Sequence, residues 1–303
     1  MTRQQRIVKD LRVNKHTYIM LIPVLAFLII FSYVPMYGII IAFKDYVSTK
    51  GILGSDWVGF QHFTDFFKSI FFGRLMKNTL VLSFCDLIFA FPASIIFALL
   101  LNEVHHRRYK KVVQTIAYMP NFISMVVIAG MVITFTSTTG PISSIIQTFG
   151  GQPVDLLSEP GYFPAIYVIS GIWQGVGFGS IIYLASISNI DQELYEAAVM
   201  DGANRFKQAL HVTLPCLAPT ITILLILRLG GMMSVGYEKI ILLSNGNNME
   251  TADVISTYVY RAGILLSNYS YSTAIGLFNN VINFVLLLAA NRVSKKITDI
   301  SLW

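Results

Sequence analysis

A chain of 303 residues with 54% hydrophobic residues, 13% charged residues and a mean hydropathy of +0.63 is not an ordinary soluble domain. Apolar runs of about twenty residues make it a polytopic, all-α membrane protein, because backbone polar groups in lipid must be satisfied within each helix. The net charge of +6 does not form a nucleic-acid face, since Lys and Arg gather in the segments flanking the apolar runs.

Residues 1–16 form a basic arm with Arg3, Arg6, Lys9, Arg12 and Lys15, expected in the cytoplasm. Residues 17–77 hold a first span, to about Phe43 and bent at Pro23 and Pro35, then an outer loop whose aromatic run WVGFQHF suits the membrane interface. Residues 78–290 make the core domain. Its second span runs from about Asn78 to Leu101, followed by the basic loop NEVHHRRYKK. His105 and His106 are adjacent, point apart on a helix, and are read as solvated rather than metal-binding. The third span covers about Val113 to Phe135, past Met119-Pro120-Asn121, and residues 136–161 form an outer loop without Lys or Arg.

The fourth span, about Tyr162 to Ile187, carries Gly171, Gly175 and Gly179 at intervals of four, a smooth face for close helix packing. The fifth runs from about Leu214 to Val235, a long outer segment covers 236–271, and the sixth runs from about Ser272 to Ala290. Residues 291–303 are a basic cytoplasmic tail. Fourteen Lys and Arg fall on the proposed inner segments against seven on the outer ones, so six spans place both termini in the cytoplasm.

No catalytic residues are expected. The sequence contains no phosphate-binding G-x-x-x-x-G-K-[ST], no H-E-x-x-H and no G-x-S-x-G. Cys85 and Cys216 are far apart and read as inert, and no metal site is expected. Polar groups within spans are the more informative set, because buried charge in lipid usually faces a cavity or a partner. Arg228, Asp86, Asn279 and Asn283 all fall toward the outer half of the membrane. They read either as a polar vestibule for a substrate or as an Asp86–Arg228 ion pair with interhelical amide bonds.

The stretch Asp191–Pro215, DQELYEAAVMDGANRFKQALHVTLP, is polar and lies between two long apolar segments. Its first part is a good helix with acids near the N-terminus. Gly202 is placed to end that helix in a left-handed conformation, and a second helical piece from about Asn204 is expected to close at Pro215. The result is a stiff helix–Gly–helix elbow that a partner could grip.

Glu196-Ala197-Ala198, Asp201-Gly202-Ala203 and Leu214-Pro215 resemble the EAA loop of permease subunits of binding-protein-dependent ABC importers. The runs FSYVPMYG, GYEKI, ETADVISTYVYR, YSTAIGLFNNVINF and the final SLW are similar to the polysaccharide and complex-oligosaccharide permeases of the LplB type, related to alginate importer permeases. The resemblance implies a type I importer fold in a bacterial plasma membrane. It also implies a second, non-identical permease, two ATPase subunits that bind ATP-Mg, and an extracellular or periplasmic binding protein that delivers an oligosaccharide. By the same resemblance, Glu193, Glu196, Ala197, Ala198, Asp201 and Gly202 belong to the ATPase contact. The rival readings are an ion-coupled secondary sugar carrier, with Asp86 as its coupling acid, and a membrane enzyme acting on lipid-linked sugars.

Overall fold

The computed structural model describes residues 12–303; Arg3, Arg6 and Lys9 of the expected arm lie outside the described residues. Six helical stretches among the described residues are long and apolar enough to cross a membrane. The first, α1 (Lys15–Phe43), is exposed along most of its length and packs mainly through its last turns, where Ala42 is buried. A short antiparallel pair follows, β1 (Lys44–Asp45) against β2 (Asp56–Trp57), with Lys44 opposite Trp57. The Lys44 ammonium donates to the carbonyls of Ile52, Leu53 and Ser55 at 2.9, 3.2 and 3.2 Å, tying the loop between the two strands. Trp57, Phe60 and Phe63 close around Phe43.

After α2 (Gln61–Lys68), the long α3 (Phe72–Asn102) runs to the basic loop. The third crossing, expected over 113–135 as one helix, is instead made in pieces. The amphipathic α4 (Arg107–Tyr118) ends in a 3-10 turn at Met119–Phe122. Ser124 then caps α5 (Met125–Thr136), and α6 (Pro141–Thr148) follows after a break. Met119, before Pro120, keeps a right-handed helical conformation; the first interruption falls after the 3-10 turn, where Ile123 and Ser124 are extended and Ser124 restarts the helix as its cap. Next come α7 (Phe163–Ser188), α8 (Gln192–Met200), α9 (Arg205–Gly230), α10 (Tyr237–Leu243), α11 (Ile255–Tyr260) and α12 (Tyr269–Thr298).

Three prolines sit within long helices in the same way. Each lies two residues after a π-helical turn: Ile29–Tyr33 before Pro35, Asp86–Ala90 before Pro92, and Ala209–Thr213 before Pro215. A proline removes one ladder hydrogen bond and crowds the preceding turn, and a widened turn absorbs both effects. Pro215 therefore does not close the second piece of the elbow. The helix that begins at Arg205 continues through the π turn into the fifth span.

Much of the segment 236–271, read as one long outer segment, is packed against the helices, while residues 236–238 and 264–269 stay exposed. Lys239, Ile240, Leu243, Asn248, Ala252, Asp253, Val254 and Ile255 are all buried. Its anchor is Asp253, whose side chain is fully buried. That carboxylate accepts from Arg74 at 2.8 Å and from Arg261 at 2.9 and 3.0 Å, and the Thr257 hydroxyl donates to it at 3.2 Å. Asn78 donates to the carbonyls of Glu250 and Asp253, and Thr79 accepts the Ile255 N–H, so α3 holds this insertion along two turns. Around it lies an apolar core of Leu82, Ile128, Phe163, Ile240 and Leu243. A second core of Ile95, Ala98, Tyr183, Ile187 and Leu217 sits nearer the elbow. Beyond α12 the tail folds back, with Leu302 N–H on Asn291 and the Ser294 hydroxyl on the Ile300 carbonyl.

Removing the shared carboxylate would leave two guanidiniums facing an empty site. Asp253→Ala is expected to destabilise the protein by about 3 kcal/mol, near the low end for a broken buried pair because both arginines are partly exposed. Thermal unfolding in detergent should show a lower midpoint than the parent, whereas Asp56→Ala, which breaks only the exposed pair with Lys50, should leave it unchanged.

Candidate functional site

The elbow is built by local signals. The Asp191 side chain accepts the Glu193 N–H at 3.1 Å and opens α8. At the other end Gly202 adopts φ +74°. The Ala203 N–H reaches the Ala198 carbonyl at 2.8 Å and the Gly202 N–H reaches Val199 at 2.9 Å, a Schellman closure that a side-chain-bearing residue would strain. Asn204 then accepts the Lys207 N–H at 2.9 Å and starts α9 at once. The Tyr195 hydroxyl meets Thr213 at 2.9 Å and the Gln208 amide donates to the Ala203 carbonyl, which sets the angle between the two arms.

Arg205 bridges across to the basic loop. It lies 3.6 Å from the Glu103 carboxylate and donates to His105 at 3.0 Å. His105 and His106 are both exposed, as read, and His106 in addition accepts the Tyr109 N–H and caps α4. Glu193, Glu196, Ala197, Asp201 and Gly202 are exposed and Ala198 is half-buried. Beside them stand Leu194, Val199, Met200 and Phe206; Met200 is 87% and Phe206 75% exposed. Apolar side chains so exposed next to charges mark an interaction surface.

The second feature is a pair of hollows on either side of one ion pair. Arg228 and Asp86, from α9 and α3, are in direct ionic contact. A hollow of about 430 Å³ is lined by Ser83, Asp86, Tyr167, Gln174, Arg228 and Lys239, and a second of about 460 Å³ by Ser94, Gly175, Gly179, Tyr183 and the same ion pair. Gly171 lines both, so the pair and this glycine form their partition.

The two elements reach this point for definite reasons. Asp86 opens the π turn that Pro92 requires, and Arg228 lies in the last turn of α9, where a cation complements the helix dipole. The fifth span ends at Gly230, short of the expected Val235; α9 meets α12 closely there, a Cβ at Gly230 falling 2.6 Å from Leu287, and the chain then turns back into the molecule.

The glycine stripe of α7 is thus largely a cavity wall. Nothing lies within 4 Å of a Cβ built at Gly175, while Gly179 abuts Ser94. The tight helix contact is made instead by Gly177, pressed on the Ala117 carbonyl of α4.

The two asparagines are not part of this hollow. Asn283 accepts the Met233 N–H at 2.8 Å and donates to Ser234 at 2.9 Å, fixing the turn after α9. Asn279 is buried with its carbonyl oxygen unpartnered, and it lines a separate hollow of about 400 Å³ with Tyr237, Ser256, Tyr260 and Asn280. Sequence reasoning missed Lys239. It sits in the run GYEKIILL and counts there as one more outer-loop cation. In the fold its ammonium is buried, donates to the Tyr167 carbonyl at 2.7 Å and lies 4.6 Å from the Tyr167 ring centre. Burial pushes this ammonium down to about 8. Its signal in the sequence was a cation followed directly by four apolar residues.

The family of binding-protein-dependent transport system inner membrane components matches residues 90–299. Among relatives, the chain is similar to protein LplB of Bacillus subtilis (strain 168), 45% identical over 94% of this chain and 90% of LplB. It is also similar to the polygalacturonan/rhamnogalacturonan transport system permease protein YteP of the same organism, 43% identical over 97% and 92% of the two chains. Among solved structures, it matches a chain of a bacterial alginate ABC transporter in complex with alginate pentasaccharide-bound periplasmic protein. That match has a TM-score of 0.90 and 45% identity over 98% of this chain and all of the other. The fold is therefore that of a type I ABC importer permease, and neither the ion-coupled carrier nor the membrane enzyme retains support. On these grounds the chain belongs to the binding-protein-dependent transport system inner membrane components, as a multi-pass permease subunit of the bacterial membrane.

Proposed function

We propose that this permease carries a complex oligosaccharide, delivered by an extracellular or periplasmic binding protein, and works with a second permease and two ATPase subunits that hold ATP-Mg. The observation that carries the reading is the elbow. It is capped at every turn, braced by Tyr195–Thr213 and Arg205–Glu103, and carries exposed Leu194, Val199, Met200 and Phe206 beside Glu193 and Glu196. A rigid element transmits displacement, and an apolar patch rimmed by charge suits a docked protein. The excess of Lys and Arg on the segments at this end supports a cytoplasmic elbow, with both termini on the same side.

The substrate class follows from the hollow and the relatives. The names of YteP and of the matched transporter refer to polysaccharides that carry uronate units. Here the hollow offers the Gln174 amide and the Arg228 guanidinium, polar groups that suit sugar hydroxyls. It is roomy and glycine-walled, so a bulky polar chain could slide along it.

Reversing one charge on the docking face tests the coupling. Glu196→Lys should cut binding-protein-stimulated ATP hydrolysis by the assembled importer at least about tenfold, since like-charge juxtaposition at an interface costs several kcal/mol. Full stimulation in an intact assembly would remove the elbow from the ATPase contact. Filling the second hollow, on the other side of the Asp86–Arg228 pair, tests whether the path continues through it. Gly175→Leu points into open space, so the melting temperature should stay within about 2 °C of the parent while oligosaccharide uptake falls to background.

A further inference from the structure

We infer that Lys239 and Arg228 together form a subsite for a carboxylate of the substrate, with Asp86 as the chain's own carboxylate holding Arg228 until a uronate takes its place. The inference rests on the reading of this hollow as the oligosaccharide path. It adds the chemical group that is recognised and a residue that recognises it.

The starting point is an imbalance of charge. An ammonium carries three donors. The Lys239 side chain uses one on the Tyr167 carbonyl and rests against the Tyr167 ring, and no carboxylate among the described residues forms an ion pair with it. An ammonium taken out of water without a counter-charge is costly, and proteins normally pair such groups. Lys239 is 6% exposed, yet it lines the hollow instead of being sealed in the apolar core. Its unmatched charge therefore faces space that a ligand can fill.

The surroundings fit that use. A Cβ at Gly171 would stand 3.2 Å from the Lys239 nitrogen, so the absence of a side chain there leaves the ammonium open to the hollow. Arg228 lines the same hollow and its side chain is 54% exposed, so part of its guanidinium fork stays free while Asp86 holds the rest. Glu238, the nearest acid in sequence, is exposed and lies outside the lining. Two cations and one carboxylate leave the ionised lining one positive charge in excess. A single uronate cancels that charge, whereas a neutral sugar leaves Lys239 as it was. Asp86 has a further consequence. Because it competes for Arg228, the acidic sugar is held by exchange between carboxylates, which keeps binding weak enough for release.

The test uses the complete importer in liposomes, with two probes: a short oligogalacturonate and its methyl ester, which keeps the sugar chain and loses the charge. Binding protein is supplied at saturation for each probe, its affinity for both having been measured separately. The parent should take up the acid in preference to the ester. Lys239→Met should lower the ratio of acid to ester uptake about tenfold, the scale of a hydrogen bond to a charged group. If Lys239→Met does not assemble, Asp86→Asn reads the same point in the opposite sense. It removes the carboxylate that competes for Arg228 and leaves the hollow more positive, so the ratio should rise. An unchanged ratio in an assembled variant overturns the subsite. Equal uptake of acid and ester by the parent also overturns it and leaves the oligosaccharide importer standing. If neither probe is moved and neither stimulates ATP hydrolysis, the oligosaccharide reading falls and the subsite falls with it.

Discussion

A fully buried carboxylate, Asp253, fixes the end of the molecule away from the elbow. It is held by two guanidiniums and a threonine hydroxyl, and Asn78 and Thr79 of α3 bind the backbone on both sides of it. An ion cannot sit in such a place unless every neighbour that satisfies it is present, so one position of the 244–260 segment against α3 is selected. That selection propagates. With the segment fixed, Ile240 and Leu243 enter the apolar core and α10 is pinned, which carries Lys239 to the Tyr167 carbonyl. The charge cluster itself lines none of the three hollows described above.

Prolines shape the rest. A π turn inserts an extra residue into the helical ladder, so side chains beyond it are turned by about 100° from where an unbroken α-helix would place them. In α3 this occurs at Asp86, one member of the cavity ion pair, and in α9 it occurs at the root of the elbow. Both features proposed to matter for transport therefore begin at a widened turn. Widened turns are common at functional positions because they present backbone and side chains that a regular helix would cover.

The elbow and the cavity differ in how far they could be read in advance. Asp191, Gly202 and Asn204 each act on neighbours within a few residues, and their caps form as the residue types suggest. The Asp86–Arg228 contact was one of two readings of the sequence, and the fold shows that pairing and cavity lining are compatible, because a half-exposed guanidinium can do both. Asn279 and Asn283 share a helix face by their spacing, yet one is taken up by the turn after α9 and the other opens to a different hollow. Spacing tells which way a side chain points along its own helix and is silent about what stands opposite.

From the residues alone came the membrane class, the number of apolar crossings, the elbow with its stop at Gly202, and the family resemblance, all of which depend on composition or on contacts within a few residues. What folding had to decide was the broken third crossing, the burial of much of 236–271, the Asp253 cluster, and the presence of Lys239 beside the ion pair. Those outcomes join residues as far apart as Arg74 and Asp253, or Tyr167 and Lys239. A polar residue counted as loop looks the same in sequence whether water or a buried counter-charge receives it. Only the packing of distant helices determines which of the two it meets.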